Sequence, residues 1–595
     1  MHRARLALVL GTAATLALLA AARPRAPLPA PGEVGHAALA PALALAYAEF
    51  RDADGLLGRG LQHPLLQALL AGEVSAILAQ RTGRTPQEAL DDLDRRAGHA
   101  VLPALAELTA RGAALSVELR GARPRFLLTL RGADAERVEE LLESALARAA
   151  ELAGFPGALA APAEVRGDTA LWRVGDELVI AQSGTWIAAS NEEATVTDAL
   201  ERAHGDGGLA HSESFARAYA GRPLDATLWG WADLERSRAL QRLADGGDRG
   251  LLELEEAAAE PGVQFLLGPT LALLGGVESM GLALCVRGED VALHAQGFGC
   301  ADGAPRRLLP AIDGRTPPCE LGPRDALRAA LYRDLRGLFV ARGELFATRT
   351  QPAFAEAESN LALFFGGRDV AEAVLPHLSP WFEVVSREVV FRAEAVPDAA
   401  LPAVALLARV DDPVTIGADL VSAFQTAISL VNVDRAQKAM PSMRLELSNV
   451  EDATLTSARF AAPVPGTGVD LRYNLEPACA LVGDTFVVGT HRALVAELVA
   501  ERSSGATHVR AVGGSERLRL AGATLERLAR AQRELLVMGR VLDEGRTRAE
   551  AEGEIDLLLG LLGRLEELEL VAGRRAEDVL GATLTLDLRA RGTQR

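Results

Sequence analysis

Lysine is almost missing from this chain: Lys438 stands alone among 62 basic residues, the rest being arginine. Phosphate-cradling and Schiff-base lysines therefore have essentially no candidates. The same composition is rich in Ala, Gly and Leu, so the lysine deficit reads as codon bias of a GC-rich genome. Four cysteines, Cys285, Cys300, Cys319 and Cys479, lack metal-ligand spacing. Nucleophile elbows, metalloprotease helices, phosphate loops and dinucleotide fingerprints are missing too. No cofactor and no metal is implied. His204 and His211, seven apart in a Gly-rich stretch, are too weak a pair to change that. Basic blocks are lacking, and 80 acidic against 62 basic residues give a net charge of -18. That balance excludes nucleic acid and anionic membrane surfaces as default partners.

Long apolar runs are confined to one place. His2, Arg3 and Arg5 precede an apolar or small run from Leu6 to Ala22, followed by Arg23-Pro24-Arg25. A basic start with a short apolar stretch is the form of a secretory signal. Its length, between a signal core and a span of about 20 residues, leaves cleavage or a retained single N-terminal membrane anchor open. Either way the protein is expected to be exported, periplasmic or anchored facing outward. No other segment reads as a spanning helix. Residues 1–35 are then signal or anchor plus a Pro-rich tether.

What is present is a repeat. Leu273-Leu274-Gly275 and Leu561-Leu562-Gly563 lie 288 positions apart, and so do Glu289-Asp290-Val291 and Glu577-Asp578-Val579. Gly184-Thr185-Trp186-Ile187 corresponds to Asp484-Thr485-Phe486-Val487 at a spacing of 300, Leu234-Glu235-Arg236 to Leu525-Glu526-Arg527 at 291, and Gly83-Arg84 to Gly367-Arg368 at 284. Solenoid repeats are far shorter, so two duplicated domains are expected, at 36–300 and 329–595. The linker 301–328 carries five prolines between Ala301 and Pro323.

Within the first copy, strands are expected at Ala113 to Leu119 and Arg125 to Leu130, around a turn at Gly121 to Pro124. A helix bearing Val138, Leu141, Leu142, Ala145 and Leu152 should cover them. Three short strands follow, Thr169 to Val174, Leu178 to Gln182 and Thr185 to Ser190, and their tight connections force antiparallel neighbours. Ser190 and Glu193 are spaced as a capping box. Next come a strand at Asp225 to Trp231, a helix around Leu234 to Leu243, and a closing hairpin of Val277 to Val286 with Val291 to Phe298. The second copy repeats the pattern at Val404 to Ala408, Val469 to Leu475, Thr485 to Thr490 and Thr583 to Leu588. The fold class is α+β: two tandem copies of one module, each an antiparallel β-sheet with helices packed on it. Thr85-Pro86-Gln87-Glu88 and Asp369-Val370-Ala371-Glu372 both read as helix starts.

Site candidates are few. Trp229 and Trp231 point to one face of a strand and offer a platform for an apolar or sugar ligand, or simply pack the core. His491 follows a strand and opens a helix, where a base could be presented. A disulfide between Cys300 and Cys319 would close a short loop at the linker.

Gly366-Gly367-Arg368-Asp369-Val370-Ala371-Glu372-Ala373-Val374-Leu375-Pro376, with the strand around Trp381 to Val385, resembles a segment of exported bacterial proteins grouped as an uncharacterised domain-of-unknown-function family with tandem α+β modules; Leu43 to Leu70 is similar to it in the first copy. The resemblance implies an envelope protein and brings no catalytic residues. The function expected is non-enzymatic binding or scaffolding of an envelope protein or apolar ligand. The alternatives are a hydrolase-like enzyme with a dispersed site and a carrier of apolar ligands.

Overall fold

The hairpin expected between Ala113 and Leu130 forms β2 (Ala113–Arg120) and β3 (Arg123–Arg131) in the computed structural model, with Arg120 paired to Arg123. The structure describes residues 35–50, 88, 91, 94–95, 101–120, 123–152, 159, 161–175, 178–202, 208–245, 276–287, 290–299, 308–311, 314–345, 351–391, 397, 399–462, 472–504, 511–512, 515–576 and 578–588. These fall into two compact units. The first holds the described residues up to Asp245, Val277–Gly299 and the last two of the chain's closing strand; the second holds Gly276 and the described residues from Leu308 to Leu586.

In the first unit, α1 (His36–Leu39) and β1 (Ala46–Phe50) precede α2 (Val101–Leu108) and the hairpin. Then come α3 (Ala135–Leu152), β4 (Glu164–Arg166), β5 (Thr169–Val174), β6 (Leu178–Ser183), β7 (Trp186–Ser190), α4 (Glu193–Arg202), α5 (Glu213–Ala220), β8 (Leu228–Asp233), α6 (Leu234–Asp245), β9 (Ser279–Arg287) and β10 (Asp290–Phe298). All pairings are antiparallel, in the order β4-β5-β6-β7-β3-β2-β1-β8-β9-β10. Neighbouring residues of a strand face opposite sides, so both sheet faces need cover. Val138, Leu142 and Leu146 of α3, at helical spacing, pack on Trp172 and Ile187. Val196, Ala199 and Leu200 of α4 take the opposite face with Leu127, Leu171 and Ala188.

The second unit contains β11 (Arg315–Thr316), β12 (Asp325–Tyr332), α7 (Leu335–Val340), α8 (Arg342–Leu345), α9 (Gln351–Phe364), α10 (Val370–Ala373), β13 (Leu378–Arg387), β14 (Ala403–Val410), α11 (Thr415–Gln437), β15 (Met443–Val450), β16 (Ala453–Phe460), β17 (Ala478–Val482), β18 (Thr485–Gly489) and α12 (Arg492–Ser503). It continues with β19 (Ala511–Val512), β20 (Ser515–Ala521), α13 (Gly522–Ala531), α14 (Arg533–Glu544), α15 (Arg548–Leu562), β21 (Leu565–Ala576) and β22 (Val579–Leu588). Its antiparallel order is β15-β16-β17-β18-β14-β13-β12-β20-β21. Leu494, Val495, Leu498 and Val499 of α12 bury one face against Val385, Leu407, Ala480 and Val487, at about 1.5–3 kcal/mol for each large side chain. Ile416 of α11 covers the other face with Val410, Cys479 and Phe486. Asp369 caps α10, accepting from Ala371 and Glu372 amides as expected. The matching segment at Thr85 lies outside the described residues apart from Glu88.

Several expectations need correction. Ser190 makes no capping box with Glu193: its hydroxyl donates to the Phe126 carbonyl at 2.6 Å and accepts the Glu192 amide, while Glu193 pairs with Arg166 and Arg173. The described end of the expected strand Val469 to Leu475 is a turn. There the buried Asn474 side chain donates to the Ala399 carbonyl at 2.6 Å and accepts the Leu401 amide at 2.9 Å, which holds the chain off the sheet. The expected linker is partly structural, since Arg315 and Thr316 pair with β19 and β12 begins at the buried Asp325.

The largest correction concerns α11. It is 23 residues long with mean hydropathy 1.3, long and apolar enough to cross a membrane by length and composition, and only 17% of its apolar window is buried. Ser, Gln, Thr and Asn interrupt the run, so no uninterrupted apolar stretch marks it in the sequence.

Candidate functional site

Among the sequence candidates, the structure buries Trp229 and Trp231 to 2% and 3% exposure. They pack in an aromatic cluster with Phe215 of α5, at centroid distances of 5.5 and 5.4 Å, and with Tyr47 of β1. Tyr47 donates its hydroxyl to the buried Glu49 carboxylate at 2.8 Å. The faces a ligand would need are covered by α5, and the pair is core.

Cys300 lies outside the described residues, and Cys319 is a free, buried thiol donating to the Arg328 carbonyl at 3.1 Å. Burial pushes this thiol up to about 11 and that of Cys479 up to about 12. Both are kept as protonated, unreactive thiols at neutral pH. His204 lies outside the described residues, and among the described residues no three His, Cys, Asp or Glu groups are placed to hold a metal ion.

Two cavities of the second unit lie at opposite ends of α12. Near its N-terminus, a cavity of about 550 Å³ gathers Ser457, Tyr473, Glu476 and His491, among others. Serine, histidine and glutamate together suggest a hydrolytic set, and the geometry argues against it. His491 Nδ1 accepts the Ala493 amide at 3.1 Å as the helix cap, which leaves Nε2–H to donate to the Tyr473 carbonyl at 3.2 Å. Both ring nitrogens are spent on backbone, so neither can take a proton from Ser457. Burial also lowers the imidazole pKa.

Near the C-terminal end of α12, a cavity of about 530 Å³ is lined by Trp381 and Glu383 of β13, Leu407 and Arg409 of β14, the β17–β18 turn with Asp484, and Asp452. Val385, Leu407 and Val487 face α12, and the strand period of two puts Trp381, Glu383, Arg409 and Thr485 on that same face. Arg502, in the last turn of α12, pairs with the buried Glu383. Arg409 pairs with Asp484 at 2.8 Å. The exposed Asp452 makes no ion pair among the described residues. An aromatic ring, an excess of carboxylates and the negative end of a helix make this a cation-favouring pocket. Sequence reading missed it because its residues come from six separate segments. The available signal was Trp381 and Glu383 two apart on a strand.

A third surface is apolar. From Leu420 to Val433, α11 carries no charge over 14 residues. Asp419 and Asp434, flanking the run, pair with Arg368 and Lys438. Leu430, Val431 and Val433 are exposed, as are Leu445 and Leu447 on edge strand β15. The last two lie on the sheet face that α11 covers, because they pair with Ala458 and Thr456, and Ala458 packs with Ile428 of α11.

No family model matches the chain, and no curated protein matches it. Solved structures of crystal forms I and IV of TP0453 are similar at 8% and 10% identity, over 46% and 45% of this chain and 82% of each of those chains, with TM-scores of 0.25 and 0.21. Similarity this slight carries no argument about what the chain does.

Proposed function

We propose that this is an exported cell-envelope protein that binds or scaffolds an envelope component, built as a tandem duplication of one α+β module. Export rests on the basic and apolar pattern of residues 2–22.

The duplication is supported by strand order. Replacing β4-β5-β6-β7-β3-β2-β1-β8-β9 by β15-β16-β17-β18-β14-β13-β12-β20-β21 turns the first sheet's order into the second's. The equivalences also adjust the sequence spacings. Gly184 and Gly483, both left-handed at φ 55 and 57, close the same turn 299 positions apart, one fewer than the sequence match suggests. A slip of one would turn every side chain of β18 to the wrong face. Trp229 and Trp231 then correspond to Arg517 and Arg519 at the spacing of 288, because Trp231 pairs with Tyr47 and Gly281 as Arg519 pairs with Arg328 and Glu569.

The observation that carries the binding reading is α11. A helix without charge over 14 residues is ordinarily buried, and only 17% of this one's apolar window is. Its equivalent α3, which likewise follows the third strand of its sheet, turns Glu139, Glu140 and Glu151 outward. One module treats this helix as a solvated surface and the other as a contact surface.

Detergent-free protein is expected to take up an apolar fluorophore saturably. Leu430→Glu/Val433→Glu should weaken that uptake at least about ten-fold with unchanged thermal midpoint. No uptake by the wild type, or undiminished uptake by the variant, would count against the α11 surface.

A further inference from the structure

We infer that the cavity at the C-terminal end of α12 is a binding site for a basic side chain of a peptide segment. The inference rests on the duplication reading, because the equivalent place in the first unit is occupied by the chain itself. Thr129 pairs with Ala114 and Ala188 as Leu407 pairs with Glu383 and Val487, and Arg131 pairs with Trp186 as Arg409 pairs with Thr485.

Over Thr129 and Trp186 lies His36. Its Nδ1 meets Thr129 Oγ1 at 2.8 Å, its ring sits edge-on to Trp186 at 4.8 Å, and its Nε2 lies 3.1 Å from where a Cβ on Gly112 would fall. Arg202, at the end of α4, donates to the Leu39 carbonyl at 2.8 Å and so fastens the backbone of the same segment. The first unit thus seats a short peptide carrying a ring side chain at this position.

In the second unit, among the described residues, the segment preceding the equivalent strand contributes Pro317 and Pro318 as one wall of a cavity of about 530 Å³. The lining has also changed in character. Glu383 stands where the first unit has Ala114, and Asp452 and Asp484 bring the carboxylates to three against Arg409 and Arg502. Trp381 supplies an aromatic face. Guanidinium or ammonium on a peptide fits such a site, with the Asp452 carboxylate, which Arg409 and Arg502 leave unpaired, for its charge and a ring for its face. A neutral sugar would use the ring and leave the excess charge unanswered.

Trp381 is the only tryptophan of the second unit, against Trp172, Trp186, Trp229 and Trp231 in the first. Its indole resonance, assigned by loss in Trp381→Phe, therefore reports on this cavity in the full chain. Titration with N-acetyl-Ala-Arg-Ala-amide should shift that resonance saturably, and Asp452→Asn should weaken the response about two- to five-fold. No shift at millimolar peptide, an equal shift with N-acetyl-Ala-Glu-Ala-amide, or a shift only with N-acetylglucosamine would overturn the proposal.

A second arm tests the equivalence of the two positions. In His36→Ala, added imidazole should refill the vacated space and raise the thermal midpoint. If imidazole restores stability while Trp381 ignores the arginine peptide, the ligand class is wrong and the duplication reading stands. If Trp381 responds and imidazole does nothing, the equivalence fails instead. Apolar-probe uptake at α11 should be untouched by Asp452→Asn, which separates this site from that surface.

Discussion

Arg387 on β13 donates Nε–H to the Asp325 carboxylate of β12 at 2.6 Å, with Asp325 wholly buried and Arg387 8% exposed. Its Nη1 reaches Glu497 and Glu501 of α12 at 2.9 and 2.7 Å, so one guanidinium ties two strands to the helix above them. Asp325→Ala should leave that charge incompletely paired and cost about 3–5 kcal/mol. Glu497→Gln, at a half-exposed position, should cost under about 1 kcal/mol. Urea denaturation of both variants checks the contrast; equal losses would contradict it.

His36 makes stability depend on pH. Burial, aided by Arg131 and opposed by Glu49 and the Arg111 backbone, pushes the imidazole down to about 4 from 6.5. Between these values the unfolded chain binds the proton and the folded chain does not, so stability falls as pH drops from about 6.5 to about 4. The loss attributable to this residue is about 3 kcal/mol. Comparing wild type with His36→Gln at pH 7 and pH 4.5 isolates it from carboxylate titration, and the difference between the two should shrink at the lower pH.

Trp231 should behave as core. Trp231→Ala removes a side chain 3% exposed and packed on Phe215, and should cost about 3–5 kcal/mol. Uptake of an apolar probe should be unchanged under conditions where the variant is folded. A variant of native stability that loses ligand binding would restore the platform reading.

Gly184 and Gly483 offer a paired test of the proposed duplication. A Cβ at either meets nothing within 4 Å, so only the left-handed backbone opposes substitution. Gly184→Ala and Gly483→Ala should each cost about 1–2 kcal/mol, measured by thermal unfolding. Markedly different costs would show that the turns are not equivalent.

Much of the secondary structure was legible because local rules were obeyed. The alternation of Ala113 to Leu119, the tight turns around Gly175 and Gly184, and the spacing of Val138 and Leu142 each specify an element without reference to the rest of the chain. Elements failed where a distant partner intervened: Ser190 spent its hydroxyl on Phe126, and Asn474 tied a would-be strand to residues 399–401.

The sequence by itself determined the α+β class, the antiparallel neighbours and the acidic character, since periodicity, turn length and charge are local or additive properties. Tertiary structure alone decided which apolar helix is buried and which is not, that His491 spends both nitrogens on backbone, and that Trp381, Glu383, Arg409 and Asp452 share a cavity. Those are outcomes of strand pairing between segments tens of residues apart, and a single sequence carries no local trace of which strands will meet.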